Sequence, residues 1–399
     1  MKILILHQHF KSPATGGAIR SYYLARALHS RGMEVCVVTA HNEKVYKVDN
    51  VEGIEVHSLP VPYSNSFGFA ARSTSFLKYV LGVIRLAGKF RDVDCVYAIS
   101  APLTVGLAAL WIKWRYKVPY IFEVGDLWPE APIQLGVIRN IFFKQFLYWL
   151  EGSVYRSANS IVALSAPIKA AIDQKRTGKE VHIIPNMADC EFFRPVRKDA
   201  VLEKKFGIAG KFVVSYIGAV GLANGLDCFL ECANACRKAS LPIQFLLCGE
   251  GALRERLQKN ADHLKLRNLT FLDFTNRDGV QEVMNVTDAI FVCYKPVLIL
   301  ETGSPNKFFD GLAAGKLIIV NFSGWIRKEI EASRCGFFVD AHRPETFVEK
   351  VSPFVTDSRL LIQHQEAARN LAEKKYARTL LSDQFCRLFQ GLSKPQRVQ

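Results

Sequence analysis

The feature that most constrains the fold is a pattern that occurs twice along the chain: a short apolar run, a loop containing glycine, and an amphipathic helical segment. In its first occurrence, residues 2–6 are apolar, the loop holds Gly16 and Gly17, and the helical pattern covers residues 18–31. Residues 34–39 then form a second apolar run. This order predicts a strand–helix–strand unit of a parallel sheet, because a crossover helix places its two strands side by side.

The pattern starts again after Asn186. Residues 187–205 are charged and contain Pro195, as expected of a linker, and residues 212–218 are an apolar run that ends in Gly218. After a short loop, residues 225–238 are helical in pattern. The further strands predicted in the two halves are residues 95–98, 120–122, 160–163, 244–248, 269–272, 289–293, 317–320 and 336–339.

The predicted fold class is therefore α/β, with two doubly wound domains in tandem. We place the first domain at residues 1–188 and the second at residues 189–375. The C-terminal segment, residues 376–399, is expected to form a helix that packs back toward the first domain. Ligands of such sheets bind beyond the carboxyl ends of the strands, and two domains can direct those ends into one cleft.

The charge of the chain narrows the classes of ligand. Its formal net charge is +15 over 399 residues, and the excess of Lys and Arg is spread over both halves. A nucleic-acid-binding protein would concentrate that charge in a tail or stripe, so we expect no nucleic-acid partner. A basic enzyme suits anionic substrates, an anionic membrane surface, or both.

Cysteine usage and hydropathy indicate the compartment. The ten cysteines show no paired short spacing, which favours reduced thiols in the cytoplasm over a disulfide framework. No signal peptide is visible in the sequence. The longest apolar run, residues 98–111, is shorter than the ~20 residues that a spanning helix needs. We expect a cytoplasmic protein, either soluble or peripheral on the inner face of the membrane.

Glycines recur where a strand turns into a helix. Gly16 and Gly17 follow the first strand, Gly218 opens a loop in the second half, and Gly249 and Gly251 follow the next strand. Without a Cβ atom, such a loop can bring backbone amides and a helix N-terminus close to an anion. None of these loops has the GxGxxG spacing of NAD or FAD sites. Tight turns would need the same glycines, so both interpretations stay open.

The segment at residues 301–316 carries the most chemistry. A polar loop leads into a helix, for which we predict Ser304 as the cap and Pro305 as the first residue. The helix amides and Lys307 form a positive site for a diphosphate. Asp310 lies one turn further on the same face, where a carboxylate can accept from a ribose diol. An ordinary capped surface helix with a Lys–Asp pair is the alternative.

In their order and spacing, these motifs resemble the retaining GT-B glycosyltransferases of family 4. The resemblance covers most of the chain. Two motifs, Asp-Leu-Trp-Pro-Glu and Pro-Asn-Lys-Phe-Phe-Asp, are similar to the subgroup that builds bacterial surface polysaccharides, near fucosaminyltransferase-like proteins. The residues that carry the resemblance are Gly16-Gly17, Glu123-Val-Gly-Asp126-Leu-Trp-Pro-Glu130, Ile184-Pro-Asn-Met-Ala-Asp189, Gly218, Gly225-Leu226, Cys248-Gly249-Glu250-Gly251 and residues 304–316.

The resemblance implies a GT-B fold with an acceptor-binding first domain and a nucleotide-sugar-binding second domain. It implies transfer with retention of configuration, without a metal or other cofactor, from a nucleoside diphosphate sugar. A UDP-sugar is the favoured donor. The implied acceptor is a polyprenyl-diphosphate-linked glycan or an oligosaccharide in the biosynthesis of lipopolysaccharide O-antigen or capsule, which suits peripheral contact with an anionic membrane.

The resemblance also implies roles for individual residues. Lys307 would stabilise the leaving diphosphate, and Asp126 would orient or deprotonate the acceptor hydroxyl. Glu123 and Glu130 are alternatives to Asp126, which could instead cap the turn that follows it. Asp310 would hold the ribose. The residues expected around the donor are Gly16, Gly17, Gly218, Gly249, Gly251, Arg277, Thr302, Gly303, Ser304, Asn306 and Asp310.

The chain departs from the family pattern in two places. The family often has two glutamates separated by seven residues in the last motif. Here Asp310 takes the second place and Thr302 the first, with Glu301 one residue away. The family also often carries an Arg and a Lys in the loop after the first strand of the second half, where this chain has no basic residue. Lys307 is the best compensation, and Arg277, near where the family holds the nucleobase, is the second candidate.

Three other motifs have simpler structural explanations. Asp92 and Asp94 match the metal-binding DxD pattern of the other glycosyltransferase fold, but they precede a buried strand. His7 and His9 have no further ligands at the spacing that zinc requires. We therefore predict no metal site. Three cysteines fall at the helical spacing of a buried helix face: Cys228, Cys232 and Cys236.

Residues 72–117 combine a dense basic charge with apolar side chains at helical spacing. This pattern favours a face on the membrane surface, which would suit a lipid-linked acceptor. An amphipathic helix packed on a sheet is the alternative. The apolar residues are Phe76, Tyr79, Val80, Val83 and Ile84, and the basic residues among and after them are Lys78, Arg85 and Lys89.

Two other functions stay open at this point. One is a different enzyme on the same fold, such as a nucleotide-sugar epimerase. The other is a non-enzymatic nucleotide-sugar-binding protein. The motif around Asp126 and the basic stretch favour the transferase, whereas the missing basic pair after Gly218 keeps the binding protein open.

Overall fold

The computed structural model describes residues 1–13, 19–64, 67–100, 102–273 and 275–390. Within these residues the chain forms two sheets, one after the other along the sequence. Most of their strands are apolar runs buried on both faces, which is typical of parallel sheets covered by helices on both sides. The predicted α/β fold class, with two doubly wound domains, is therefore confirmed.

The first sheet has eight strands in the order β3-β4-β2-β1-β5-β6-β7-β8. Neighbours pair in parallel, except that β3 and β4 form an antiparallel hairpin. In chain order the elements are β1 (Lys2–Leu6), α1 (Arg20–His29), β2 (Glu34–His41), β3 (Lys47–Val51), β4 (Ile54–Pro60), α2 (Phe69–Leu86), β5 (Cys95–Ile99), α3 (Val105–Tyr116), β6 (Tyr120–Val124), α4 (Glu130–Gln134), α5 (Ile141–Ser157), β7 (Ser160–Ala163), α6 (Ala166–Gln174) and β8 (Glu180–Ile183).

The second sheet has six parallel strands in the order β11-β10-β9-β12-β13-β14. Its domain begins after the linker, and a helix near the C-terminus leaves it again. The elements are α7 (Ala200–Phe206), β9 (Phe212–Ile217), α8 (Asp227–Lys238), β10 (Ile243–Cys248), α9 (Arg254–His263), β11 (Leu269–Leu272), α10 (Arg277–Asn285), β12 (Ala289–Val292), α11 (Asn306–Ala313), β13 (Leu317–Val320), α12 (Trp325–Ser333), β14 (Gly336–Phe338), α13 (Phe347–Thr356), α14 (Ser358–Leu371) and α15 (Arg378–Arg387).

Helices cover both faces of each sheet. On the first sheet, α2, α3, α5 and α6 pack on one face, while α1 and α15 pack on the other. On the second sheet, α8, α9 and α13 share one face, and α10, α11, α12 and α14 share the other. No helix in the described part of the chain is both long enough and apolar enough to cross a membrane.

Helix α2 corrects the interpretation of the basic stretch. Three of the apolar side chains that suggested a membrane face, Tyr79, Val80 and Val83, are buried in the core against the sheet. Lys78 and Arg85 are exposed. The apolar stripe therefore holds the helix on the sheet, because burying that surface stabilises the fold, and it is not available to a membrane.

The chain crosses between the domains twice. After β8 it passes into the second domain, and after α14 a π-helical turn at Ala372–Tyr376 brings it back. There the Ala188 amide donates to the Tyr376 carbonyl at 2.8 Å, which joins the two crossings. Helix α15 then packs on α1, and the Phe385 ring lies 4.8 Å from the ring of Tyr97 on β5.

Candidate active site

The crevice between the domains lies where the strand order of each sheet reverses. The reversal falls between β1 and β5 in the first sheet and between β9 and β12 in the second. Loops from the carboxyl ends of both sheets meet there. Ser165, after β7, donates to the Thr302 carbonyl at 2.6 Å. The Ile299 amide donates to Gln134 Oε1 at 3.3 Å. This is the position at which doubly wound sheets bind their ligands.

Lys307 stands in this crevice on the first turn of α11. Its Nζ donates to Tyr216 Oη at 3.1 Å and lies 4.5 Å from the centre of the Tyr216 ring and 5.6 Å from that of Tyr294. Burial lowers the pKa of the Lys307 ammonium to about 8. Among the described residues, no carboxylate lies within ion-pair distance of it. A partly buried cation that rests on aromatic faces without a counter-ion is suited to attract an anionic ligand.

The predicted glycines of the second domain explain how the crevice is built. Gly218 has a φ of +147°, and a Cβ atom there would lie 3.1 Å from Lys307 Cε, so the glycine leaves room for the lysine. Gly249 has a φ of +150°, and its Cβ would lie 1.9 Å from the Gly218 carbonyl oxygen. Gly251 is similarly packed against Val220. For Gly249 and Gly251, close packing of two loop backbones is a sufficient reason for glycine.

Asp310 lies one turn beyond Lys307, half-buried on α11. Burial raises the pKa of its carboxyl to about 7, an effect that Arg277 opposes and Asp189 strengthens. The Asp310 side chain forms no hydrogen bond or ion pair within the described residues. The Lys–Asp surface pair considered from the sequence is therefore not formed there, and both side chains stay available to a ligand.

Arg277 has a different role from Lys307. It begins α10, ion-pairs with Asp189, and donates from Nη1 to Tyr23 Oη at 2.8 Å. Its guanidinium lies 3.8 Å from the centre of the Phe192 ring. Asp189 also pairs with Arg378 at 3.0 Å and accepts from Tyr23 at 2.9 Å. Four of these residues link α1, the linker, α10 and α15, and we call them the domain junction: Tyr23, Asp189, Arg277 and Arg378.

The predicted cap of α11 is wrong. Pro305 itself is the N-cap residue and makes no side-chain cap, so Ser304 does not cap the helix. Instead the Ser304 hydroxyl accepts from the Asn186 amide at 3.3 Å, and its carbonyl accepts from the Asn186 side chain. Ser304 therefore fixes the start of α11 to the linker between the domains.

The other described residues that were predicted around the donor lie in the loop before α11 and at the start of that helix. The Thr302 hydroxyl donates to the Ile299 carbonyl at 2.7 Å. The Gly303 carbonyl accepts from Trp325 Nε1 at 2.8 Å. Both contacts shape the loop, and Asn306 is exposed at the start of α11. The glycines predicted for the opposite wall lie outside the described residues: Gly16 and Gly17.

Asp126 faces the crevice from the first domain. It follows β6 and is exposed, but the protein around it displaces enough water to raise the pKa of its carboxyl. Burial raises the pKa of the Tyr294 hydroxyl, and the nearby Asp126 carboxylate raises it further. The cap of α4 is Pro129, without a side-chain hydrogen bond, so Asp126 is not a helix cap. Within the described residues Asp126 has no hydrogen-bond or ion-pair partner.

Glu123, the first alternative to Asp126, is engaged inside the first domain. It is buried and receives three hydrogen bonds from Arg20 at 2.9 to 3.2 Å. It also accepts from the hydroxyl of Tyr97. Arg20 in turn donates to the Ile184 carbonyl at 2.9 Å. Glu123 therefore orients Arg20 at the start of α1 and cannot meet an acceptor.

Glu130, the second alternative, is engaged near the surface. It accepts from Tyr148 at 2.5 Å and from Gln134 at 2.7 Å, and the Tyr148 hydrogen bond lowers the pKa of its carboxyl. A carboxylate with a lowered pKa and two donors is a poor base. Of the three candidates, Asp126 is the one whose geometry leaves it open to an acceptor.

Four aromatic rings line the first domain beside Asp126, and the sequence did not indicate that they lie together. The His9 ring lies 4.4 Å from that of Tyr63. Tyr63 stacks on Phe76 at 5.9 Å, and the edge of Phe76 meets Trp128 at 6.3 Å. All four rings are half-buried. They come from three different loops and from α2, so no local motif could have connected them. His9, Phe76 and Trp128 each belong to a stretch that the sequence singled out for another reason, and only Tyr63 does not.

The simpler explanations of the aspartate and cysteine motifs agree with the structure. Asp94 accepts from the Lys2 amide at 2.8 Å and Asp92 from Lys2 Nζ at 3.2 Å, at the amino end of β5 and away from the crevice. Burial lowers the pKa of His7 to about 3 and that of His9 to about 4, so both rings are neutral at pH 7. The three cysteines are buried on α8, as expected of a helix face in the core: Cys228, Cys232 and Cys236.

The two halves of the chain each match a known domain family. Residues 15–187 match the family described as "Glycosyl transferase 4-like domain", and residues 199–377 match "Glycosyl transferases group 1". The border between the two matches falls in the charged linker. The second match contains α11 and the crevice side chains of the second domain, and the first contains Asp126.

Individual relatives are distant. The chain is 20% identical over 61% of its length to alpha-D-kanosaminyltransferase of Streptomyces kanamyceticus, and 24% identical over 68% of its length to a putative colanic acid biosynthesis glycosyl transferase, WcaI, of Escherichia coli K12. The aligned regions span 63% and 67% of those proteins. The crystal structure of Anabaena Alr3699/HepE in complex with UDP and glucose superposes with a TM-score of 0.72 at 16% identity, covering 98% of this chain and 100% of that one.

Proposed function

Because the chain belongs to the GT-B glycosyltransferases, with a glycosyl transferase 4-like first half and a group 1 second half, we propose that it transfers a sugar from a nucleoside diphosphate to an acceptor hydroxyl with retention of configuration. The observation that carries this proposal is Lys307, a cation without a counter-ion in the described part of the crevice. A UDP-sugar is the favoured donor, in keeping with the UDP bound by the structural neighbour.

In the proposed reaction, the bond between the anomeric carbon and the β-phosphate oxygen breaks, and the acceptor oxygen takes its place. Negative charge then builds up on the diphosphate. Lys307 Nζ and the uncapped amides at the start of α11 would stabilise that charge, and a lysine with a pKa near 8 becomes fully charged when a phosphate approaches. Asp310 would accept from the ribose hydroxyls. These roles require no metal.

Asp126 would serve the acceptor. Its carboxylate faces the crevice and lies near Tyr294 of the second domain, so an acceptor hydroxyl bound between them would reach both sides of the cleft. The raised pKa strengthens Asp126 as a base, because a less acidic carboxyl holds a proton more readily. The rings of Tyr63 and Trp128 offer apolar faces for the sugar that carries the acceptor hydroxyl.

The proposed acceptor is a lipid-linked glycan of bacterial surface polysaccharide. The support is the name of the colanic acid relative, together with the basic character of the chain, which suits a diphosphate-linked lipid at an anionic membrane. A position at the inner face of the cytoplasmic membrane follows from this acceptor.

A thermal-shift panel of UDP-, GDP- and other nucleotide sugars tests the donor. A ligand that binds the folded state alone raises its stability, by about 2.7 kcal/mol at one hundred times its Kd. We expect one nucleotide class to raise the melting temperature of the wild type and to lose that effect in Lys307→Ala. If no nucleotide sugar shifts the wild type, the proposed donor is wrong. Isomerisation of the sugar nucleotide without any acceptor would identify an epimerase instead.

A further inference from the structure

Exposed apolar side chains concentrate on one helix of the first domain. On α5, the exposed fractions of Phe142 and Trp149 are 78% and 62%. Phe143 stacks on Phe146 at 6.4 Å, and Phe146 on Trp149 at 6.0 Å. So many rings on one exposed surface indicate a contact surface. The exposed large side chains of this helix are Ile141, Phe142, Phe143, Phe146, Tyr148 and Trp149.

The fold does not need these side chains. Helix α5 packs on the sheet through a separate stripe that includes Leu147, Leu150 and Val154. Phe142 and Trp149 are seven residues apart and lie on the outward side of the helix, in line with the exposed Arg156. We call the outward side of α5, which carries these three residues, the α5 face.

The charges around the α5 face indicate the kind of partner that this face fits. Helices α2, α3 and α5 cover the same face of the sheet and together hold seven basic residues and one acidic residue. That acidic residue, Glu151, is buried and pairs with Lys175 at 2.8 Å. One further carboxylate, Glu130, lies at the edge of this surface, where it accepts from Tyr148 of α5. Basic groups still outnumber acidic ones on the three helices, and the surface is also apolar, with Trp114 on α3 exposed at 70% and Leu81 on α2 at 52%. A partner that presents anionic groups above an apolar layer would be complementary to this surface of the protein.

The position of the α5 face relates it to the crevice. Helices of a doubly wound sheet run antiparallel to its strands, so the amino end of α5 lies at the carboxyl edge of the sheet. Phe142, Phe143 and Phe146 occupy the amino half of the helix, Trp149 lies at its middle, and Arg156 lies at the other end. Asp126 is at the same edge of the sheet, on the loop after β6. A surface bound to the α5 face would thus lie beside the mouth of the crevice.

We propose that the α5 face, flanked by α2 and α3, docks the protein on an anionic lipid bilayer, with the rings of Phe142 and Trp149 in the interfacial layer and Arg156 at the headgroups. The inference deepens the proposed function by naming the surface that brings the crevice to a lipid-linked acceptor, and it rests on that function for its purpose. The docking itself requires no catalysis, so it is tested separately.

The test is cosedimentation with vesicles of phosphatidylcholine that contain phosphatidylglycerol, compared with vesicles of phosphatidylcholine alone. The wild type should bind the anionic vesicles, and more weakly as salt increases, since exposed charges are screened. The double variant Phe142→Ser/Trp149→Ser should bind at least about tenfold more weakly. A matched control, Val201→Ser/Ile362→Ser, removes two exposed apolar residues of the second domain and should bind as the wild type does.

Each outcome decides the proposal. Failure of the wild type to bind anionic vesicles, or equal binding by the α5 double variant, overturns it. A dimer in light scattering that the double variant breaks, without vesicle binding, would instead make the α5 face an interface between two copies. The nucleotide thermal shift is measured on the same variants. A preserved shift with lost vesicle binding supports docking, whereas a missing shift in the wild type contradicts the proposed donor and leaves the vesicle result intact.

Discussion

The domain junction and the open crevice beside it both contain charged side chains, but they treat those charges in opposite ways. In the domain junction, burial tends to raise the pKa of Asp189, yet its two arginines and Tyr23 lower that pKa overall. In the crevice, Lys307 and Asp126 have no charged partner within the described residues. Loss of contact with water lowers the pKa of Lys307 and raises the pKa of Asp126, so it favours the neutral form of each group.

The difference distinguishes structural charges from functional ones. A buried ion pair whose members satisfy each other links the domains and offers nothing to a ligand. An unpaired charge costs stability, and such a cost is tolerated where a ligand supplies the missing partner. By this criterion we expect Arg277 to hold the domains together and Lys307 to meet the donor, although the sequence suggested both for donor binding.

The largest effect expected from this contrast is the loss of Lys307. Lys307→Ala should lower kcat/KM for transfer by about 10³-fold, because it removes the cation that we propose stabilises the leaving diphosphate. The nucleotide should also bind more weakly in a titration. Lys205→Ala, which removes a lysine paired with Glu282 on the surface of the same domain, is the control and should match the wild type. Unchanged turnover and binding in Lys307→Ala would exclude its role.

The carboxylates of the first domain provide the next test. Asp126→Asn should lower turnover by about 10²-fold with little effect on nucleotide binding, since an amide cannot take the acceptor proton. Glu130→Gln is the matched control on the same segment, and it should stay near the wild-type rate because Glu130 is engaged with Tyr148. The reverse result, a slow Glu130 variant and a normal Asp126 variant, would exchange their roles.

Disrupting the domain junction should lower the stability of the protein more than it changes nucleotide binding. Arg277→Gln removes one of the two arginines that pair with the buried Asp189 carboxylate. It should lower the free energy of unfolding, measured by chemical denaturation, by about 2 kcal/mol. Below the melting temperature, nucleotide affinity should stay within about tenfold of the wild type, because Arg277 is already engaged by Asp189. A stable variant that no longer binds nucleotide would restore Arg277 as a donor residue.

Stability should also depend on pH through Lys307. Its pKa is about 8 in the folded protein and ordinarily 10.5, so the unfolded chain binds more protons between these values. The free energy of unfolding should therefore rise with pH across this window, and below it the charged form costs the folded state at most about 3 kcal/mol.

The variant Lys307→Met isolates this contribution. The pKa of Lys316 is also lowered to about 8, so part of the rise should remain in the variant. Lys307→Met should nevertheless show a flatter profile than the wild type and a free energy of unfolding about 2 kcal/mol higher at pH 7. Saturating nucleotide should flatten the wild-type profile as well. Identical profiles of variant and wild type would contradict the unpaired state of Lys307.

The smallest effect expected is that of metal removal. Lys307 and the α11 amides would supply the positive charge that a bound metal supplies in metal-dependent phosphate chemistry, so excess EDTA should leave turnover within about twofold. Turnover after gel filtration into metal-free buffer, with and without added Mg²⁺, measures this. Loss of activity that Mg²⁺ restores would mean that the crevice needs a cation besides Lys307.

Much of the fold could be predicted from the sequence because its signals are local. Buried parallel strands are short apolar runs, and β7, β11 and β13 have the predicted bounds. Strand β4 was missed although most of its residues are buried. Its hairpin partner β3 was missed because it is the exposed polar run Lys-Val-Asp-Asn-Val, which pairs by backbone hydrogen bonds at the sheet edge. Such a strand has no hydrophobic periodicity to detect.

The candidate site was predictable only in part, because pairing is a property of the fold. The sequence singled out Lys307, Asp310 and Asp126, but it could not reveal that Asp189 neutralises Arg277, since the two residues are far apart in the chain. It also could not reveal the aromatic support of Lys307. Tyr216 lies near the end of a strand and cannot be distinguished from a core residue until the loops around Gly218 are folded.

The return of α15 to the first domain has a consequence for how the chain is made and recombined. The rings of Phe385 and Phe389 lie 4.8 and 6.1 Å from Tyr97, the residue that donates to Glu123. During synthesis, the first half therefore leaves the ribosome with part of one sheet face uncovered, and that face is completed only when α15 emerges. A chimera that exchanges first domains between relatives must carry α15 with the first half. Otherwise the sheet of one protein would be covered by a helix that evolved to pack on the sheet of another.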